Sequence, residues 1–160
     1  MNFKVRDLSL LALFVIACIV VGGVSGFFTA GEVDAWYSSL IKPVWNPPNW
    51  VFGPVWTILY ALMGVAAFLV YREGFQRREV KIALGIFSVQ LALNFFWSIL
   101  FFSYKNLFAS FVEIIILWVA ILATIISFYR VSRPAALIML PYLLWVSFAS
   151  ILNYSIWILN

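Results

Sequence analysis

Five apolar runs, each long enough to cross a bilayer, decide most of what this chain can become. They cover roughly residues 8–28, 51–71, 80–102, 107–129 and 135–157. A helix needs about 20 mostly apolar residues to span the hydrocarbon core. In lipid every backbone polar group must be satisfied within the structure, and for runs of this length the helix does so. Of the 160 residues, 66% are hydrophobic and only 10% charged, against about 45–50% and about 25% in soluble domains. Lipid is therefore the main solvent for this surface. The expected fold is an all-α integral membrane protein: a single bundle of five transmembrane helices over residues 1–160, with a short helix and a proline-rich lid in the first connection. Lys4 and Arg6 precede the first run as they would in a signal peptide, but the run is too long for a typical signal core, so a permanent span is expected.

The cations set a direction. Lys4, Arg6, Arg72, Arg77, Arg78, Lys81, Arg130 and Arg133 fall on one side of a five-span chain, and only Lys42 and Lys105 on the other. Cytoplasmic segments carry the excess of Lys and Arg, which predicts a cytoplasmic N-terminus and an external C-terminus in a cell membrane. The net charge of +4 is thus a matter of topology and not of nucleic-acid binding. The chain has no histidine and one cysteine, Cys18. That removes the usual general base, the usual zinc ligand, the usual axial haem ligand and any intrachain disulfide. No metal site is expected and no carboxylate pair falls in a span, so conventional enzyme chemistry has little to work with.

About 22 residues separate the first two runs, and "WYSSLIKPVWNPPNWVFGPVWTILY" there holds four of the eight tryptophans and four of the six prolines. Loops this long in a compact chain are usually functional or disordered, and this one is not built for disorder. Thr29–Ala30–Gly31–Glu32 reads as a capping box opening a short helix whose Val33, Trp36, Tyr37 and Leu40 share one face. Pro43 ends that helix, Pro47 and Pro48 keep the next stretch extended, and Asn49 is positioned to cap the second span with Pro54 in its first turn. An interfacial aromatic belt accounts for the tryptophans but leaves the prolines unexplained. A stiff lid over a cavity, built on Pro43, Pro47 and Pro48 with Trp45 as a ligand contact, accounts for both.

Three spans carry stripes that would face such a cavity. In the second, Trp56, Tyr60 and Gly64 share a face, with Gly53 leaving a gap above. In the third, Gln90, Asn94, Trp97, Ser98 and Phe101 share one. In the fifth, Tyr142, Trp145, Ala149, Leu152 and Asn153 do. Unpaired amides in lipid cost several kcal/mol, so Gln90, Asn94 and Asn153 should point inward, either as interhelical glue or as ligand contacts. Single aromatic stripes are usually packing; three beneath a rigid aromatic loop suit a flat conjugated ligand. Pro141 should kink the fifth span and widen one end of the bundle. Glu113 is the one acid inside a span, open to a role with ligand or to pairing with Lys105 or a serine. Gly22 and Gly26 allow close helix approach, within the bundle or between two copies.

The stretch "WYSSLIKPVWNPPNWVFGPVW", with "QLALNFFWS" and "PYLLWVSFASILNYSIW" further on, closely resembles the translocator protein family, also called the tryptophan-rich sensory protein or peripheral-type benzodiazepine receptor family. The likeness covers nearly the whole chain in order. It implies a five-helix bundle, often a homodimer, that binds porphyrins and synthetic isoquinoline or benzodiazepine ligands under its first loop. By resemblance the ligand-contact positions are Tyr37, Trp56, Asn94, Trp97, Trp145, Phe148 and Ala149. The family's proposed cholesterol motif needs a basic residue after the tyrosine. Here "SIWILN" follows Tyr154, so cholesterol is doubtful and a prokaryotic member is indicated.

These readings converge on a membrane receptor or sensor for porphyrins or related tetrapyrroles, with the porphyrin as ligand and no cofactor required. Transport of the same ligand is the alternative, although inverted repeats and an ATP-binding loop are lacking. The one enzymatic reading is light-dependent porphyrin breakdown, with Trp56 and Trp145 exchanging electrons with the excited ring.

Overall fold

A computed structural model describes residues 5–160; Lys4, counted in the charge asymmetry above, lies outside the described residues. The described chain is helical with short connections and has five helical stretches long and apolar enough to cross a membrane. The helices are α1 (Val5–Glu32), α2 (Asn49–Arg72), α3 (Arg78–Ser98), α4 (Leu107–Val131), α5 (Arg133–Ile138) and α6 (Leu140–Leu159). α1 runs on into a π-helical turn, Val33–Tyr37, and α3 into another, Ile99–Ser103.

The helix ends differ from the sequence reading in three places. Thr29–Glu32 does not open a separate short helix: α1 continues through it, the Thr29 hydroxyl donating to the Gly26 carbonyl one turn back. Glu32 reaches across to Lys105 at 3.0 Å rather than back to Thr29. The true connection is therefore residues 40–48. Asn49 does not cap α2 but is its first residue, with Pro48 at the cap position and no side-chain cap bond. Pro54 lies in the second turn rather than the first. The cap that does form is at α4, where the Asn106 side chain accepts from the Ala109 N–H.

α1 is the outlying member. Only Cys18 and Ser25 are buried along it, and large apolar residues such as Leu13, Ile16, Val20 and Phe27 face outward, as a lipid-facing helix requires. It is held to α2 by a close approach at Gly64, where a methyl group would sit 2.5 Å from Val15 Cα and 2.8 Å from the Phe14 carbonyl oxygen. Only a glycine permits that spacing.

At the arginine-rich end the bundle is solid. Met63, Ala66, Ala67, Phe68 and Val70 of α2, Val80 of α3, and Ile121 and Phe128 of α4 are fully buried, as is Met139 between α5 and α6. Alanines at 66, 67, 83, 135 and 136 let the helices close up there. Pro141 acts as expected, with the break set two residues earlier. A proline has no N–H for the Leu137 carbonyl and crowds it, and the helix stops at Ile138, turns at Met139 and restarts at Leu140. α5 packs against α2 and α4, whereas α6 packs on α4 and makes only sparse approaches to α2. The break thus opens a gap between α2 and α6 at the end of the bundle opposite the arginines.

Candidate functional site

That gap is a cavity of about 500 Å³. Its floor is a hydrogen-bonded layer joining three helices. The Tyr60 hydroxyl of α2 donates to Asn94 Oδ1 of α3, and Asn94 Nδ2 donates to the Tyr142 hydroxyl of α6 at 2.6 Å. Asn94 and Tyr60 line the cavity; Tyr142, fully buried, lies just behind them with its ring edge against Trp56. Above this layer Trp97 Nε1 donates to Asn153 Oδ1 at 3.1 Å, and Asn153 Nδ2 donates to the Leu107 carbonyl at 3.2 Å, fixing α3, α6 and the start of α4. Ser25 donates to Ser98 at 2.7 Å and ties α1 to α3 on the opposite wall.

The walls are aromatic and the polar atoms between them largely serve one another. Trp56 stands against Tyr60, Trp97 stacks on Phe101, and Trp145 packs between Phe52 and Phe148. Tyr37, from the π turn after α1, closes the upper wall; its ring meets Phe52, Phe101 and Phe102, and its hydroxyl donates to Asn46 at 2.7 Å. The two π turns touch each other and are bridged by the Glu32–Lys105 pair. An extra residue per turn re-aims the side chains that follow, which brings Phe102 as well as Phe101 to the wall.

Of the residues singled out from sequence, Tyr37, Trp56, Tyr60, Asn94, Trp97, Ser98, Trp145 and Ala149 come together on this cavity. Seven others do so less directly or not at all. Gln90 is fully buried but sits below the floor, its amide against the Met63 sulfur. It belongs to the core because it lies one helical turn deeper than Asn94. Tyr142 supports the floor from behind. Trp45 is half exposed and packs on Phe148, and Phe148 packs on Trp145, so both back the wall without forming it. Phe148 is turned about 100° from Ala149 on the helix. Pro43, Pro47 and Pro48 are likewise off the wall, although Asn49, immediately after them, is on it.

α1 supplies a wall that sequence reasoning did not assign to the cavity: Gly22, Gly23, Ser25, Gly26 and Ala30. The signal was the run of small residues, read as packing. Gly22 does pack within the bundle, since any side chain there would collide with the Tyr60 ring, while Gly26 faces open space. Glu113 is buried off the cavity with no hydrogen-bond partner among the described residues, and Lys105 pairs with Glu32 instead. No group of three metal-ligating side chains occurs among the described residues.

The arrangement offers flat apolar faces in a blind recess, suited to holding a planar ring system. Comparison with known proteins agrees with the architecture. Residues 14–158 match the sequence model of the TspO/MBR family. The chain is 44% identical over 155 residues to the tryptophan-rich protein TspO of Chlorobaculum tepidum, covering 97% of this chain and 98% of that one. It is 45% identical over 147 residues to the protein of the same name from Archaeoglobus fulgidus, covering 91% and 94%. It is 42% identical over 132 residues to the translocator protein of Homo sapiens, covering 81% and 78%. A five-span membrane chain with this aromatic recess, matched end to end at these identities, belongs to the TspO/MBR family.

Proposed function

We propose that this protein is a membrane receptor or sensor that binds a porphyrin or related tetrapyrrole in the cavity, with synthetic isoquinoline and benzodiazepine ligands competing for the same space. The observation that carries the reading is a blind, ring-walled cavity of about 500 Å³, within the usual ~300–1,000 Å³ of small-molecule sites. Binding rests on stacking and shape, since the chain has no histidine to ligate iron and the amides of Asn94 and Asn153 are engaged by tyrosine hydroxyls, the Trp97 N–H and the Leu107 carbonyl. Tryptophan fluorescence of the purified protein, titrated with protoporphyrin IX and with an isoquinoline ligand, tests it. Saturable quenching by the first, displaced by the second, is expected; non-saturable quenching refutes the reading.

Receptor is favoured over transporter because the recess ends at the Tyr60–Asn94–Tyr142 layer and solid core follows. Ligand flux across sealed liposomes containing only this protein would reverse that preference. Faster bleaching of bound than of free porphyrin under illumination would add the photochemical activity, with Trp56 and Trp145 exchanging electrons with the excited ring. The reading also includes a homodimer in a bacterial or archaeal cell membrane with the N-terminus in the cytoplasm. Fusions of a reporter active only in the cytoplasm test the orientation: activity at Asn160 would sink it.

A further inference from the structure

The connection 40–48 is fastened in a way that the prolines do not explain. Ile41 donates its backbone N–H to Asn160 Oδ1 at 3.0 Å, and Asn160 Nδ2 donates back to the Ile41 carbonyl at 2.9 Å. The same Nδ2 donates to the Ile156 carbonyl at 2.8 Å. One carboxamide thus pairs with both backbone groups of a residue 119 positions away, as a neighbouring strand would, while anchored to the last turn of α6. The far side of the connection braces the cavity wall. Asn46 holds the Tyr37 hydroxyl, and Trp45 packs on Phe148, which packs on Trp145. Tyr37 and Trp145 are wall residues, and so is Ile156.

We infer that Asn160 is a positioning residue for the cavity: its carboxamide clasps the first connection to the end of α6 and thereby keeps Tyr37 and Trp145 in place around a bound ligand. The inference rests on the cavity being the ligand site. The chemistry needs a donor and an acceptor held side by side, which asparagine provides. Aspartate keeps the acceptor for the Ile41 N–H and loses both donors; alanine loses all three bonds. Ile41 is well exposed, so these bonds compete with water and the clasp is worth little enough to open and reclose. A fastening of that kind governs how long a ligand stays more than how fast it arrives.

The experiment uses the full chain in lipid nanodiscs with Asn160→Ala and Asn160→Asp. Without ligand, hydrogen exchange of peptides covering residues 40–48 should quicken by about threefold to tenfold in Asn160→Ala and by less in Asn160→Asp, while α2, α3 and α4 exchange as in the parent and so certify the fold. With protoporphyrin IX, stopped-flow release should quicken by about threefold to tenfold in Asn160→Ala, with association changed by less than about twofold. Unchanged exchange at 40–48 in Asn160→Ala overturns the clasp. Faster exchange with unchanged release overturns the positioning role. A parent protein that binds no protoporphyrin overturns the ligand reading on which that role stands, while exchange still decides whether the clasp exists.

Discussion

Replacing Asn94 with leucine tests the cavity floor. Leucine has the same branched four-heavy-atom skeleton as asparagine and is well suited to a membrane helix. What changes is the pair of bonds, to the Tyr60 and Tyr142 hydroxyls. Tyr142 is wholly buried, at 0% exposure, and Tyr60 nearly so, so at Tyr142 water cannot replace the lost partner. Interhelical side-chain hydrogen bonds in membranes are worth about 0.6 kcal/mol on average and about 1.7 at most; two of them give a loss of about 1.2–3.4 kcal/mol. The sequence left Asn94 open as interhelical glue or as a ligand contact. With both ends of the amide engaged by protein, the first effect to expect is lost stability. The decisive comparison is the triple variant Tyr60→Phe/Asn94→Leu/Tyr142→Phe, which strands no hydroxyl. It should be more stable than Asn94→Leu alone despite two further substitutions. Reversible unfolding in mixed detergent micelles measures the series. A triple variant that is less stable than Asn94→Leu would refute the network.

Two more outcomes follow from the geometry. Gly64→Ala should destabilise the protein by about 1–3 kcal/mol, read in the same unfolding assay, because its methyl meets the α1 backbone at Val15 and no side chain can move aside; Gly26→Ala, which meets nothing, should be tolerated. Pro47→Gly/Pro48→Gly should weaken ligand affinity by about fourfold to thirtyfold, from about 0.4–1 kcal/mol of added chain entropy per change, and equilibrium titration of a variant that binds like the parent would assign the prolines to membrane anchoring alone.

The five spans were legible because lipid demands long apolar runs and nothing else in the chain competes with that signal. Their ends were less so. Thr29–Ala30–Gly31–Glu32 has the composition of a cap, but a cap forms only if the helix stops. Here α1 carries straight on, and Glu32 instead finds Lys105, 73 residues away in the sequence. The stripes on α2 and α6 bring Trp56 and Tyr60, and Trp145, Ala149, Leu152 and Asn153, to the cavity, while Gly64 packs on α1 and Tyr142 lies behind the floor; periodicity fixes the direction in which a side chain points. It does not fix depth, which is why Gln90 shared a face with Asn94 yet lies beneath the floor. The α1 wall was hidden for a related reason: glycines mark where side chains are absent, and the space they leave has an owner only once the neighbouring helices are in place. The two π turns have no sequence signature we can name, and without them the arrival of Phe102 beside Phe101 was not foreseeable.

Trp97 and Trp145 present their rings to the cavity and turn their N–H groups elsewhere, which leads to a last test. Trp97 gives its N–H to Asn153. Trp118, outside the cavity, gives its N–H to Ser147 at 2.8 Å. Trp145 lines the cavity while its own N–H is buried with no acceptor among the described residues. A buried donor that the cavity surface does not expose is of no use for recognising a ligand from inside. The face of the Trp145 ring is the part that counts, and Trp145→Phe keeps an aromatic face. We therefore expect Trp145→Phe to bind protoporphyrin within about threefold of the parent, and to fold at least as well, since it removes an unpaired buried donor that costs about 1–3 kcal/mol. Trp145→Ala removes the face as well and should lose about threefold to tenfold in affinity, from about 0.5–1.5 kcal/mol of aromatic contact beyond area burial. Fluorescence titration of both variants separates shape from hydrogen bonding. If Trp145→Phe loses as much as Trp145→Ala, the indole N–H swings inward to meet a polar group on the ligand, and the cavity recognises more than a flat ring.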